Sequence, residues 1–168
     1  QSAYRFCGLE DENAHFLDLP FYKTGKAKKN EISRQDIEMT KQLLEEIKPH
    51  QVFVAGDKSD PHGTHKTCLD VFTQAFREIK EEGQSWTKDC WVWQYRGAWL
   101  EWPIDEVEMA VPLSPDEVAK KRAAIFKHES QKYGGVFPGD DTREFWQRAE
   151  DRNRNTAELY NKLGVPEY

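Results

Sequence analysis

The stretch 52–65, Val-Phe-Val-Ala-Gly-Asp-Lys-Ser-Asp-Pro-His-Gly-Thr-His, constrains the fold of this chain more than any other. Its apolar run 52–55 is followed by Gly56, polar residues and Pro61, so it reads as a buried strand breaking into a loop. A helical pattern starts at Thr64. Cys68, Phe72, Ala75, Phe76 and Ile79 recur at spacings of three and four, with Arg77, Glu78, Lys80 and Glu81 opposite, until Gly83 closes the helix. Strand, polar loop and helix in that order belong to α/β sheets, which bind ligands beyond the carboxyl ends of their strands. The loop carries titratable side chains suited to that position, Asp57 and Asp60 ahead of His62 and His65.

The rest of the chain repeats the alternation. Tyr4, Phe6 and Leu9 are spaced as on a strand, and 16–22, Phe-Leu-Asp-Leu-Pro-Phe-Tyr, reads as a strand end or loop because of Pro20. Residues 24–30 are small and basic, a solvated loop or a phosphate grip. Ser33 and Asp36 form a capping box for a helix striped with Ile37, Leu43, Leu44 and Ile47 and ended by Pro49. Residues 89–99 read as a strand with Trp91, Trp93 and Tyr95 on one face and Val92 on the other, and 107–113 as a further short strand. Ser114-Pro-Asp-Glu117 opens a helix that continues through Val118, Ala119, Arg122, Ile125 and Phe126 to about residue 131. A last helix over 142–163, within a carboxyl-terminal segment 140–168, is expected to bury Phe145, Trp146, Ala149, Leu159, Tyr160 and Leu163. The fold class this implies is α/β, a Rossmann-like, mostly parallel sheet flanked by helices, in one domain over 1–168 or a large piece of one.

Charge narrows the partners. A net charge of −6, with acids and bases mixed along the chain, leaves no electrostatic footprint for nucleic acid or an anionic membrane, so small molecules are the expected partners. No apolar run approaches the roughly 18 residues of a membrane helix. Cys7, Cys68 and Cys90 form no paired framework and fit a reduced, cytoplasmic protein. The sequence opens on Gln1, as expected of a fragment or a processed product.

Two imidazoles three residues apart admit two readings. Neutral imidazole binds zinc at about 2.0–2.1 Å, and zinc brings the pKa of a bound water to about 7. With one histidine on the metal, the other can act as acid, base or oxyanion stabiliser. Alternatively, His-x-x-His before a helix caps it and hydrogen-bonds locally. Asp57 either orients a histidine or makes a loop turn. The tryptophans also divide, between a packed face under a helix for Trp91 and Trp93 and rings that stack on a sugar, among which Trp86, Trp99 and Trp102 are further candidates.

An apolar strand, then Asp-x-x-Asp-Pro-His-x-x-His, then an amphipathic helix resembles the second metal motif of the LmbE-like, PIG-L-type de-N-acetylases. Residues 16–20, Phe-Leu-Asp-Leu-Pro, are similar to the segment after an early strand in that family, and 120–131, ending His-Glu-Ser-Gln, to its Lys … Ala-x-x-x-His-x-Ser-Gln helix. More closely, the chain resembles the carboxyl-terminal region of two-part bacterial glucosamine-6-phosphate deaminase (isomerase) proteins, in which an LmbE-like domain follows a deaminase domain. The resemblance implies a zinc-dependent hydrolase that removes the acetyl group from an N-acetylated amino sugar. His65 matches the zinc-ligating histidine, and His62 the one that protonates the leaving amine or steadies the oxyanion. Asp60 falls near the place where some members have a tyrosine that helps hold the oxyanion. His128 and Gln131 match the helix motif, as substrate-side or structural residues, and Arg96 is a further candidate substrate contact. The family's first motif, Ala-His-Pro-Asp-Asp, has no counterpart here, since Ala14-His15 is not followed by Pro-Asp-Asp. The expectation is therefore a chain without the first strand and helix, with an incomplete zinc site and no activity alone. The alternative is a non-catalytic scaffold or sugar-binding domain following a deaminase domain.

Overall fold

In the computed structural model, the described residues are 2–23, 29–56, 63–96, 101–128 and 142–164. Two apolar runs pair as strands: Gln51–Ala55 (β1) and Trp91–Tyr95 (β2) lie parallel, in register from Gln51 opposite Trp91 to Ala55 opposite Tyr95. Parallel neighbours need a long crossover, and here it is the helix Thr64–Glu81, so strand, helix and strand form a βαβ unit. The fold is α/β with a parallel sheet flanked by helices, as the alternation of patterns requires. In chain order the helices are Ser2–Phe6 (α1), Arg34–Ile47 (α2), Thr64–Glu81 (α3), Pro115–Ile125 (α4) and Phe145–Lys162 (α5). The chain falls into two compact units, Phe16–Leu100 and Gln1–His15 with Glu101–Tyr168.

In the Phe16–Leu100 unit, α2 and α3 pack together around Ile37, Leu44, Ala75 and Ile79, with Ile32, Phe72, Phe76 and Trp86 against them. The rings of Phe72 and Phe76 stack at 5.6 Å, and Trp86 meets Phe76 edge-on at 5.9 Å. Trp86 is thus part of the core. Lys41, buried between the helices, pairs with Glu82 at 2.5 Å and Glu78 at 3.3 Å. The expected stripes need two corrections. Cys68 and Ile47 are exposed, each near the end of its helix and outside the core cluster, while Leu69 and Val71 are buried, because α3 packs on both α2 and β1 and hides a wider arc than one stripe. The aromatic face of β2 is also open: Trp91 is 65% exposed.

The capping box of α2 is complete, with Ser33 Oγ accepting from the Asp36 N–H at 3.4 Å and the Asp36 carboxylate accepting from the Ser33 N–H at 2.8 Å. At its other end Lys48 closes α2 in the left-handed conformation, φ 48°, with its N–H donating to the Leu44 carbonyl. A lysine side chain is strained there and glycine is not. Lys48→Gly is therefore expected to stabilise the unit by about 0.5 kcal/mol, the relieved strain being partly offset by added freedom in the unfolded chain. A higher urea midpoint with an unchanged slope checks it.

In the other unit the first residues are a helical turn, not a strand: the Cys7 N–H donates to the Ala3 carbonyl, and Arg5 and Tyr4 hold Asp11. Residues 107–113 form no strand and bend at Glu108, and Val111 is 70% exposed. Both corrections share a cause, since a short alternating run becomes a strand only beside another strand, and none described lies there. α4 keeps its capping box, Ser114 with Glu117, and ends at Ile125. It packs on α5, where Arg122 lies 4.6 Å over the Trp146 ring and also pairs with Glu150. α5 buries Ala149, but Leu159 and Leu163 are exposed.

Candidate functional site

Both strands of a parallel pair end at the same edge of the sheet, which fixes where a ligand-binding end must be. β1 ends at Ala55, and the next N–H, that of Gly56, still donates to the Tyr95 carbonyl at 2.8 Å. Arg96 follows directly from β2 at this end and is half-buried.

α3 begins here as well. Its first turn is set by Gly63, whose φ of 67° is available to glycine at no steric cost, and whose carbonyl accepts from the Thr67 N–H and from Thr67 Oγ1. Gly63, as the N-cap residue, offers no side chain to cap this helix. His65 is its second residue and is exposed, so the fold presents the imidazole to solvent instead of burying it in the core.

Of the residues singled out from the sequence, the structure brings His65 and Arg96 to elements of the same unit. Asp57, Asp60, His62, Trp99 and Gln131 lie outside the described residues. His128 stands exposed just after α4, with its N–H donating to the Ile125 carbonyl, and belongs to the other unit. Among the described residues no three His, Cys, Asp or Glu side chains are grouped to hold a metal ion. A catalytic zinc takes about three protein ligands. The described donors alone do not fit it.

Two titratable groups carry more than their sequence patterns suggest. Asp36 is fully buried, and it also accepts from the Phe21 N–H at 3.0 Å. Burial raises its pKa, but hydrogen bonds from the Ser33 side chain and from the N–H groups of Phe21, Ser33 and Asp36 outweigh that and hold the carboxyl below its ordinary value. Lys121, on α4, is half-buried and bonds Asn153 Oδ1; burial, then the Arg152 charge, draw its amine below the usual lysine range. No pattern of spacing marks either role, because both depend on residues far away in the chain.

Among the described residues no helix is long and apolar enough to cross a membrane. No family model matches the chain, and no solved structure does. A protein of Bacteroides thetaiotaomicron, provisionally named a glucosamine-6-phosphate deaminase-like protein, is 58% identical over all 168 residues. The chain is related to that protein over its whole length and spans 25% of the relative's own length.

Proposed function

We propose that this chain is the later part of a hydrolase that removes the acetyl group from an N-acetylated amino sugar, with the sugar bound beyond the carboxyl end of the β1–β2 sheet. The observation that carries this reading is the position of His65, exposed in the first turn of the crossover helix of a βαβ unit. In this reading His65 is a zinc ligand, as in the LmbE-like de-N-acetylases the chain resembles. His62 and Asp60 serve the leaving amine and the oxyanion, and Arg96, on the same unit as His65, contacts the sugar. The remaining ligands come from polypeptide outside this chain, because the family's first metal motif, Ala-His-Pro-Asp-Asp, has no counterpart in its sequence. The relative's name supports an amino-sugar setting, and its greater length supports a deaminase domain elsewhere in the same protein. The setting is cytoplasmic.

The missing first motif equally fits a second reading, a non-catalytic domain that serves assembly or sugar binding beside a deaminase domain.

Placing these 168 residues in the Bacteroides thetaiotaomicron relative, in place of its matching quarter, separates the two. The hydrolase reading expects the graft to retain zinc through purification without chelator and to release acetate from N-acetylglucosamine or its 6-phosphate. It expects the isolated chain to do neither. A folded graft without zinc or acetate release establishes the second reading, and acetate release by the isolated chain overturns the shared site.

A further inference from the structure

We propose that the open face of the β1–β2 sheet is a docking surface for polypeptide belonging to the three quarters of the longer protein that this chain does not match. Alternate residues of a strand share a face. The register therefore places Phe53 beside Trp93 on one face, flanked by the pairs Gln51 with Trp91 and Ala55 with Tyr95. The rings of Trp91 and Trp93 stack at 5.9 Å and 13°. Phe53, Trp91 and Tyr95 are 56%, 65% and 52% exposed. The opposite face carries Val52 and Val54, both half-buried, beside Val92 and Gln94, which are exposed, and α3 packs against β1.

A parallel sheet covered on one face only is unusual, since crossover helices normally cover both. A lone pair of strands is also marginal in water. Contiguous exposed aromatic surface of this kind marks an interface. Three arguments choose the occupant. A sugar site needs polar groups converging among its rings, and among the described residues this face carries one amide, Gln51, at one corner, with the Tyr95 hydroxyl at the opposite end of the strands. The described sheet has two strands, so each leaves one edge of backbone groups that further strands would pair. The match to the relative runs through the whole chain yet leaves most of the relative's length to supply a covering layer. This inference stands apart from the hydrolase reading and does not need it.

Hydroxyl-radical footprinting read by mass spectrometry tests it, on the isolated chain and on the full-length relative. Phe53, Trp91 and Tyr95 are expected to label rapidly in the isolated chain at every concentration. The residues aligned with them in the full-length relative are expected to label several-fold more slowly. Equal rates in the two proteins overturn the proposal. So does slow labelling of the isolated chain: if it appears only on concentration, a second copy covers the face; if only with N-acetylglucosamine, the face is a sugar platform; if at every dilution, the chain covers it itself.

Discussion

His65→Ala in the grafted full-length protein is expected to remove its zinc and to lower acetate release by about a hundredfold or more. Loss of a residue that only orients a metal ligand already costs about 10–100-fold, and a ligand is worth at least as much. The isolated chain makes the result interpretable. His65 is exposed and outside the core, so truncation at His65 is expected to cost the chain's own stability no more than about 1 kcal/mol, the worth of one surface interaction. A capping or packing role predicts the reverse pattern, a clear loss of stability and no change in metal. Metal analysis and urea melts of both proteins together decide between ligand and structural histidine.

Asp36→Ala is expected to destabilise the Phe16–Leu100 unit by about 3 kcal/mol, combining about 1 kcal/mol for the lost bond from the Ser33 N–H, the Asp36 half of the capping box, with about 1–3 kcal/mol for leaving the Phe21 N–H unpaired. Phe21 itself is 2% exposed, so its N–H has no water to turn to. Asp36→Asn keeps the shape and one acceptor but presents an amide where the Ser33 N–H and hydroxyl donate, and is expected to lose less. The folded carboxyl is held below its ordinary value, so the unfolded chain binds this proton more readily. The contribution is therefore present above the unfolded Asp pKa of about 3.9 and disappears as the pH falls through the lower folded value. The gap between the parent chain and Asp36→Asn should accordingly narrow between neutral pH and about pH 3. Urea denaturation at both pH values checks it. A gap that stays constant would mean that the carboxylate's charge contributes nothing.

Much of this architecture is written in local pattern. Ser33 with Asp36 and Ser114 with Glu117 are capping boxes because three-residue spacing alone brings side chain to backbone at a helix start, and both are present in the structure. The runs around Val52 and Val92 announce strands, and the long amphipathic stretch between them announces the crossover that makes those strands parallel. The resemblance to the de-N-acetylases also rests on such short segments. His65 was legible as a candidate, but its site also involves residues that no single segment contains.

Tertiary structure decided the rest. Alternation at Tyr4 and Phe6 and again over 107–113 states which side chains would share a face if a strand formed, and only a neighbouring backbone can make it form. Trp91, Trp93 and Tyr95 do share a face, but periodicity does not say what lies over that face, and here it is open. Arg96 comes to the same sheet end as the start of α3 because two strands far apart in sequence pair in parallel. Asp36 changes from a helix cap into a buried anchor because Phe21, fifteen residues earlier, folds back to donate to it. Caps and periods act through bonds a few residues long, so the sequence by itself determines them; coverage, burial and the company a side chain keeps arise from contacts between distant segments, and only the folded chain has those.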